Sequence, residues 1–105
     1  MAVRSVTSWR VTPGRWADFT AFMAGNKKIF ERLGGTVRVS TATFAGPNSG
    51  TVSLAVEHKD MAAYGAYIVK LDADPEWQKV LTDARSRTDP FGTITGRALL
   101  TDLAL

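Results

Sequence analysis

Cysteine is absent from the 105 residues, and disulfide scaffolds, thiolate metal centres and cysteine nucleophiles are excluded with it. A reducing compartment is permitted. Histidine occurs once, at His58; one imidazole and scattered carboxylates do not assemble a three-ligand site, so neither metal nor cofactor is expected. There is no G-x-S-x-G nucleophile elbow, and neither a P-loop nor a dinucleotide fingerprint surrounds Gly34-Gly35. No window approaches the roughly 18 apolar residues of a membrane span. The start, Met1-Ala2-Val3-Arg4-Ser5, also lacks the apolar run of a signal peptide. A cytoplasmic protein is the expectation.

Clustered charge is equally scarce. Thirteen Lys and Arg against ten Asp and Glu give a net charge of +3, but only Lys27-Lys28 are adjacent cations. A nucleic-acid footprint needs clustering on one face, so the cations read as solvated surface and no nucleic acid is expected. Hydrophobic residues at 45% and charged residues at 22% are the balance of an ordinary globular chain. Its length suits one domain, residues 1–105, with one core.

The elements follow from periodicity and punctuation. Residues 3–11 are rich in β-branched and aromatic side chains and stop at the turn former Thr12-Pro13-Gly14, which predicts a strand with two mixed faces. Trp16, Phe19, Phe22, Met23, Ile29, Phe30 and Leu33 then recur at helical spacing, predicting a long amphipathic helix over 15–33 with Gly34-Gly35 at its C-terminal cap. Gly25-Asn26 is a weak point in that helix, explained by a kink, close packing or a ligand contact through Asn26. Residues 36–45 and 51–58 predict two strands joined through the turn formers 46–50 as an antiparallel hairpin. In the second of them Val52, Leu54, Val56 and His58 share one face. Asp60 suits the N-cap of a helix over 61–71, with Met61, Tyr64, Ile68 and Leu71 recurring along it. Asp74 and Pro75 interrupt and restart the helix, and Trp77, Val80, Leu81 and Ala84 form the stripe of the next one. Trp77 is expected to drop its indole against the end of the sheet. Residues 93–103 predict the last strand.

Strand, helix, strand, strand, helix pair, strand is the split βαβ order of the ferredoxin-like α+β class, βαββαβ. Right-handed crossovers would lay the helices on one face of a four-stranded antiparallel sheet. The other face would be bare and, carrying apolar residues, would invite a second copy. Two such sheets face to face would form a dimeric α/β barrel.

The Thr12-Pro13-Gly14-Arg15 entry to the first helix, the hairpin around Gly50 and above all Asp74-Pro75-Glu76-Trp77-Gln78 resemble the NIPSNAP-type members of the dimeric α/β-barrel superfamily. That resemblance implies a ferredoxin-like subunit and a homodimer. Other branches of the superfamily include antibiotic-biosynthesis and quinol monooxygenases, haem-degrading enzymes and ligand-binding regulatory domains, and fold alone does not choose among them. The haem-degrading branch relies on a histidine, asparagine and tryptophan set. Here the first strand has no asparagine and no histidine lies on the second helical segment, which argues against haem.

Three readings stay open: a dimeric barrel that binds a small apolar or amphipathic molecule between sheet and helices, a cofactor-independent monooxygenase, and an interaction module whose function is the dimer. Trp9, Arg38, Tyr64 and Tyr67 are the candidate ligand-binding residues, and Phe44 could join the lining; core packing is the competing explanation for the aromatics. His58 is the candidate general base, because histidine titrates nearest neutral pH. The competing expectation is a hydrogen-bonded or exposed residue at a strand end, whose loss would leave folding intact.

Overall fold

The computed structural model describes residues 1–43 and 46–105, the side chain of Asn48 excepted. Its elements run β1 (Val3–Val11), α1 (Trp16–Arg32), β2 (Thr36–Thr41), a short 3-10 turn (Gly46–Asn48), β3 (Val52–His58), α2 (Met61–Ala73), α3 (Pro75–Ser86) and β4 (Gly92–Thr101). The sheet is antiparallel with strand order β2-β3-β1-β4. This is the ferredoxin-like α+β order that the punctuation predicts. The predicted second strand, 36–45, ends in the structure at Thr41, and Phe44 lies outside the described residues.

Local chemistry sets each boundary. Gly14, at a backbone φ of 79°, closes the turn after β1, where the Arg15 amide donates to the Thr12 carbonyl at 3.0 Å. The Thr12 amide and hydroxyl reach across to the Phe91 and Pro90 carbonyls, each at 2.8 Å, and fasten this turn to the start of β4. At the other end of α1, Gly34 takes a φ of 101° that an L side chain rarely adopts. The Gly34 amide donates to Glu31 at 3.1 Å and that of Gly35 to Phe30 at 2.9 Å, the paired bonds of a Schellman cap. The helix runs unbroken through Gly25, which does not pack closely, since a Cβ there would meet nothing within 4 Å.

Asp74 is the pivot of the helical layer. Its amide closes α2 by donating to Leu71 at 3.1 Å, and its carboxylate accepts the Trp77 amide that opens α3 at 2.9 Å. The same oxygen accepts Arg32 Nη2 at 2.9 Å, joining the end of α1 to the α2–α3 junction. The Arg32 guanidinium, then the Trp77 amide, hold this carboxyl below the usual carboxylate range. Because the folded pKa is the lower one, Asp74 stabilises the fold above the unfolded carboxyl's pKa of about 3.9, and that contribution is lost as pH falls through the folded value. Asp74→Asn keeps a capping oxygen and should melt between wild type and Asp74→Ala at neutral pH, with a flatter acid limb. Equal melting temperatures for all three proteins would contradict this role.

The helices cover the sheet unevenly. α1 packs on β2 and α3, and α2 on β3 and α3, whereas the main neighbour of β4 is β1. The core therefore lies under α1 and α2, where Phe19, Met23, Ile29 and Phe30 meet Val52, Leu54, Val56 and Tyr67. Beyond its first residue every position of β4 is exposed. Trp77 turns to the ring of Phe30 on α1, edge-on at 5.0 Å between centroids; the indole closes the layer between helices and not against the end of the sheet.

Candidate functional site

Cross-strand pairing decides which side chains can share a site. Directly opposed residues face the same way. Val3 opposite His58, Ser5 opposite Val56, Thr7 opposite Leu54 and Trp9 opposite Val52 put that set on the helix side, because Leu54 and Val56 belong to the core. On β4 the same side carries Leu99 opposite Ser5, Arg97 opposite Thr7 and Ile94 opposite Trp9. One extra residue, Thr95, separates the pairs at Ser8 and Trp9. This bulge lets Ile94 and Arg97, three apart, face the same way.

Where the helices leave β1 and β4 uncovered, a cleft of about 860 Å³ opens between the sheet and α1 and α3. Trp9, Phe19, Phe22, Phe30, Tyr67, Trp77 and Phe91 supply aromatic walls, and Ser5, Thr7, Asn26 and Arg97 are polar groups among them. Size and lining both fall in the range of small-molecule sites, which run to roughly 300–1,000 Å³ with apolar walls and a few polar groups. At its mouth Phe91 lies under two guanidiniums, Arg87 at 3.9 Å and Arg15 at 4.7 Å from the ring centre. Arg15 is tied in turn to Asp18 and Asp89, each at 2.7 Å. A shallower groove of about 350 Å³ lies on the other side of α1, against β2, beside Trp16, Met23 and Val39. Phe19 borders both.

Of the sequence-predicted residues, Trp9, Tyr64 and Tyr67 line the cleft. Arg38 does not: it pairs with Ala55, the parity opposite to the core residues, and stands exposed on the bare face of the sheet. His58 is not on the cleft wall either. It sits behind the two tyrosines, 4.5 Å from the Tyr67 ring and 5.5 Å from that of Tyr64. Sequence reasoning passed over Phe22, Phe30, Trp77, Phe91 and Arg97 as lining.

The buried state of His58 corrects the expectation of an exposed or hydrogen-bonded strand end. Only 5% of the residue is exposed, and its Nε2 has no hydrogen-bond partner among the described residues. Burial pushes the imidazole below its ordinary value of 6.5, so it is held neutral. Below about pH 6.5 the unfolded chain binds a proton that the folded chain excludes; stability therefore falls with pH until the folded pKa is reached. His58→Phe should flatten melting temperature against pH between about 7 and 5. His58→Ala should melt lower than wild type, because it empties a packed site. Parallel pH profiles for wild type and His58→Phe would refute the assignment. Burial, and secondarily Tyr64, pushes the Tyr67 phenol above its ordinary pKa.

Asn26 is a further buried polar residue, with Thr51 and Asp74. It is 3% exposed and lines the cleft. No group of three or more His, Cys, Asp or Glu side chains suited to a metal ion occurs among the described residues. No helix among them is long and apolar enough to cross a membrane.

No family model matches the chain, and no curated protein does. Solved structures do match in fold. A NIPSNAP domain protein from Burkholderia xenovorans superposes with a TM-score of 0.72 at 18% identity, over 99% of this chain and 96% of that one. SnoaB, a cofactor-independent oxygenase from Streptomyces nogalater, gives 0.64 at 19% identity, over 99% and 95%. An antibiotic biosynthesis monooxygenase from Bordetella bronchiseptica gives 0.58 at 20% identity, over 98% of each chain. The chain has the fold shared by NIPSNAP-like proteins and monooxygenases of this type.

Proposed function

We propose that this protein is a NIPSNAP-like small-molecule-binding domain that works as a homodimer in the cytoplasm, taking an apolar or amphipathic ligand into the cleft between the sheet and α1 and α3. The observation that carries the reading is the cleft itself: an aromatic-walled space of about 860 Å³ beside a packed core, where an interaction module would have a filled interior. Trp9, Tyr64 and Tyr67 act as ligand contacts, with Phe30 and Trp77 closing the far wall. The bare face supports the second copy. Val6, Ala55, Ala98 and Leu100 share it with Ser8 and Ser53, whose hydroxyls lie 3.2 Å apart.

Native mass spectrometry of the purified protein tests both parts. The expected spectrum shows the dimer mass with an additional small molecule, or one taken up from an added aromatic mixture. A bare monomer that takes up nothing would overturn the reading.

The likeness to SnoaB favours a second reading, a cofactor-independent monooxygenase. In such chemistry the substrate, once deprotonated, itself donates the electrons to oxygen, so the protein's tasks are to exclude water, orient the ring and accept a proton. His58 is shielded by Tyr64 and Tyr67 and would act only through them. Oxygen consumption with an electron-rich hydroxylated polycyclic aromatic, dependent on protein, separates this reading from simple binding.

A further inference from the structure

Within the cleft the charged groups are not evenly placed. The helical wall carries Asp72, Asp83, Arg85 and Arg87, and Arg87 is already engaged, over Phe91 and 3.9 Å from Asp89. The wall formed by β1 and β4 carries Arg97 and no acid. Arg97 shares the parity of Leu99 in the regular part of the β1–β4 ladder, and it faces the cleft beside Thr7. Among the described residues it has no ion-pair or hydrogen-bond partner, whereas Arg4, Arg15 and Arg32 are each paired to a carboxylate within 3 Å. Asn26, 3% exposed, is a further polar group of the same cleft.

The geometry points to an aromatic carboxylate as the class of ligand, its acid held by Arg97 at the strand wall, its ring system between the aromatic side chains, and a further hydrogen-bonding group meeting Asn26. A guanidinium presents a planar fork that matches a carboxylate, and a carboxylate arriving there meets the one wall free of acids. The Asn26 amide, donor and acceptor together, suits a carbonyl or hydroxyl on the ring system. This assignment rests on the cleft reading and specifies what the cleft selects.

Three matched probes separate the two claims: 2-naphthoate, its methyl ester and 2-naphthylmethylamine, titrated against the intact protein at neutral pH and followed by tryptophan fluorescence. The expected order is the acid tightest, by about tenfold over the ester, since a hydrogen bond to a charged group commonly contributes about that factor. Arg97→Met should abolish the preference while the ester binds as before, and Arg97→Lys should restore part of it. Arg38→Gln, which removes one positive charge from the opposite face, should leave the preference intact. Thermal melts of the variants confirm that each is folded. Equal binding of acid and ester in wild type, a preference for the amine, or an equal loss in Arg38→Gln would overturn the carboxylate assignment and leave the cleft standing. No binding of any probe would overturn both.

Discussion

Phe19→Ala is expected to cost about 3 to 5 kcal/mol of unfolding free energy, the range for removing a buried phenylalanine ring. Phe19 is 1% exposed and stands edge-on to Trp9, 6.0 Å between centroids. Its ring also fills the space over Gly92, where a Cβ would come within 3.1 Å of it. Because Phe19 borders both cavities, its removal merges them, and the gap cannot be closed by collapse of a neighbour. A small domain holds only about 5–15 kcal/mol in total, so the variant should unfold well below the wild-type denaturant midpoint with an unchanged slope. A loss under about 1 kcal/mol would mean that the core is not centred on Phe19 beneath α1.

Gly35→Ala is expected to lose about 1 to 3 kcal/mol, although it adds a single methyl group. The added Cβ would fall 2.5 Å from Val56 Cγ1, 3.2 Å from the Phe30 carbonyl oxygen and 3.6 Å from Tyr67 Cε2. Val56 and Tyr67 are both core residues, so neither can give way freely, and the carbonyl is already used by the Gly35 amide. The expected readout is a fall in melting temperature of roughly 4–8 °C per kcal/mol for a domain of this size. A melt within a degree of wild type would show that Gly35 has room, and that α1, β2 and β3 are packed less closely at this corner.

Element order was legible because each break carries its own chemistry. Pro13-Gly14, Gly34-Gly35 and Asp74-Pro75 act locally, through φ preference and capping, and they stop and start helices wherever they occur. The alternation Val52, Leu54, Val56 and His58 likewise announced a face, and that face is buried. The burial of His58 follows from this alternation, and the charged Lys59-Asp60 after it suggested otherwise.

The candidate site was legible only in part, because it depends on where the helices lie sideways across the sheet. No periodicity in α1 or α2 encodes that they cover β2 and β3 and leave β4 bare. Arg38 was separable in principle: Val37 and Val39 take the core parity, which turns Arg38 to the other face. The facing of Ile94 with Arg97 was not, since a bulge at Thr95 resets the parity of β4 between them and nothing in Thr93-Ile94-Thr95-Gly96 announces it. Trp77 was noticed as a helix marker, but its neighbour Phe30 is 47 positions away and only the fold brings them together.

The three tryptophans provide the most direct measurement of the central claim. Trp9 and Trp77 line the cleft, while Trp16 is 54% exposed and borders only the shallow groove beyond α1. In proton–nitrogen correlation spectra, with the three indole signals assigned by Trp→Phe replacement, titration with 2-naphthoate is predicted to move the Trp9 and Trp77 indole signals together and to leave Trp16 in place. Shifts confined to Trp16, or no saturable shift at all, would contradict the account.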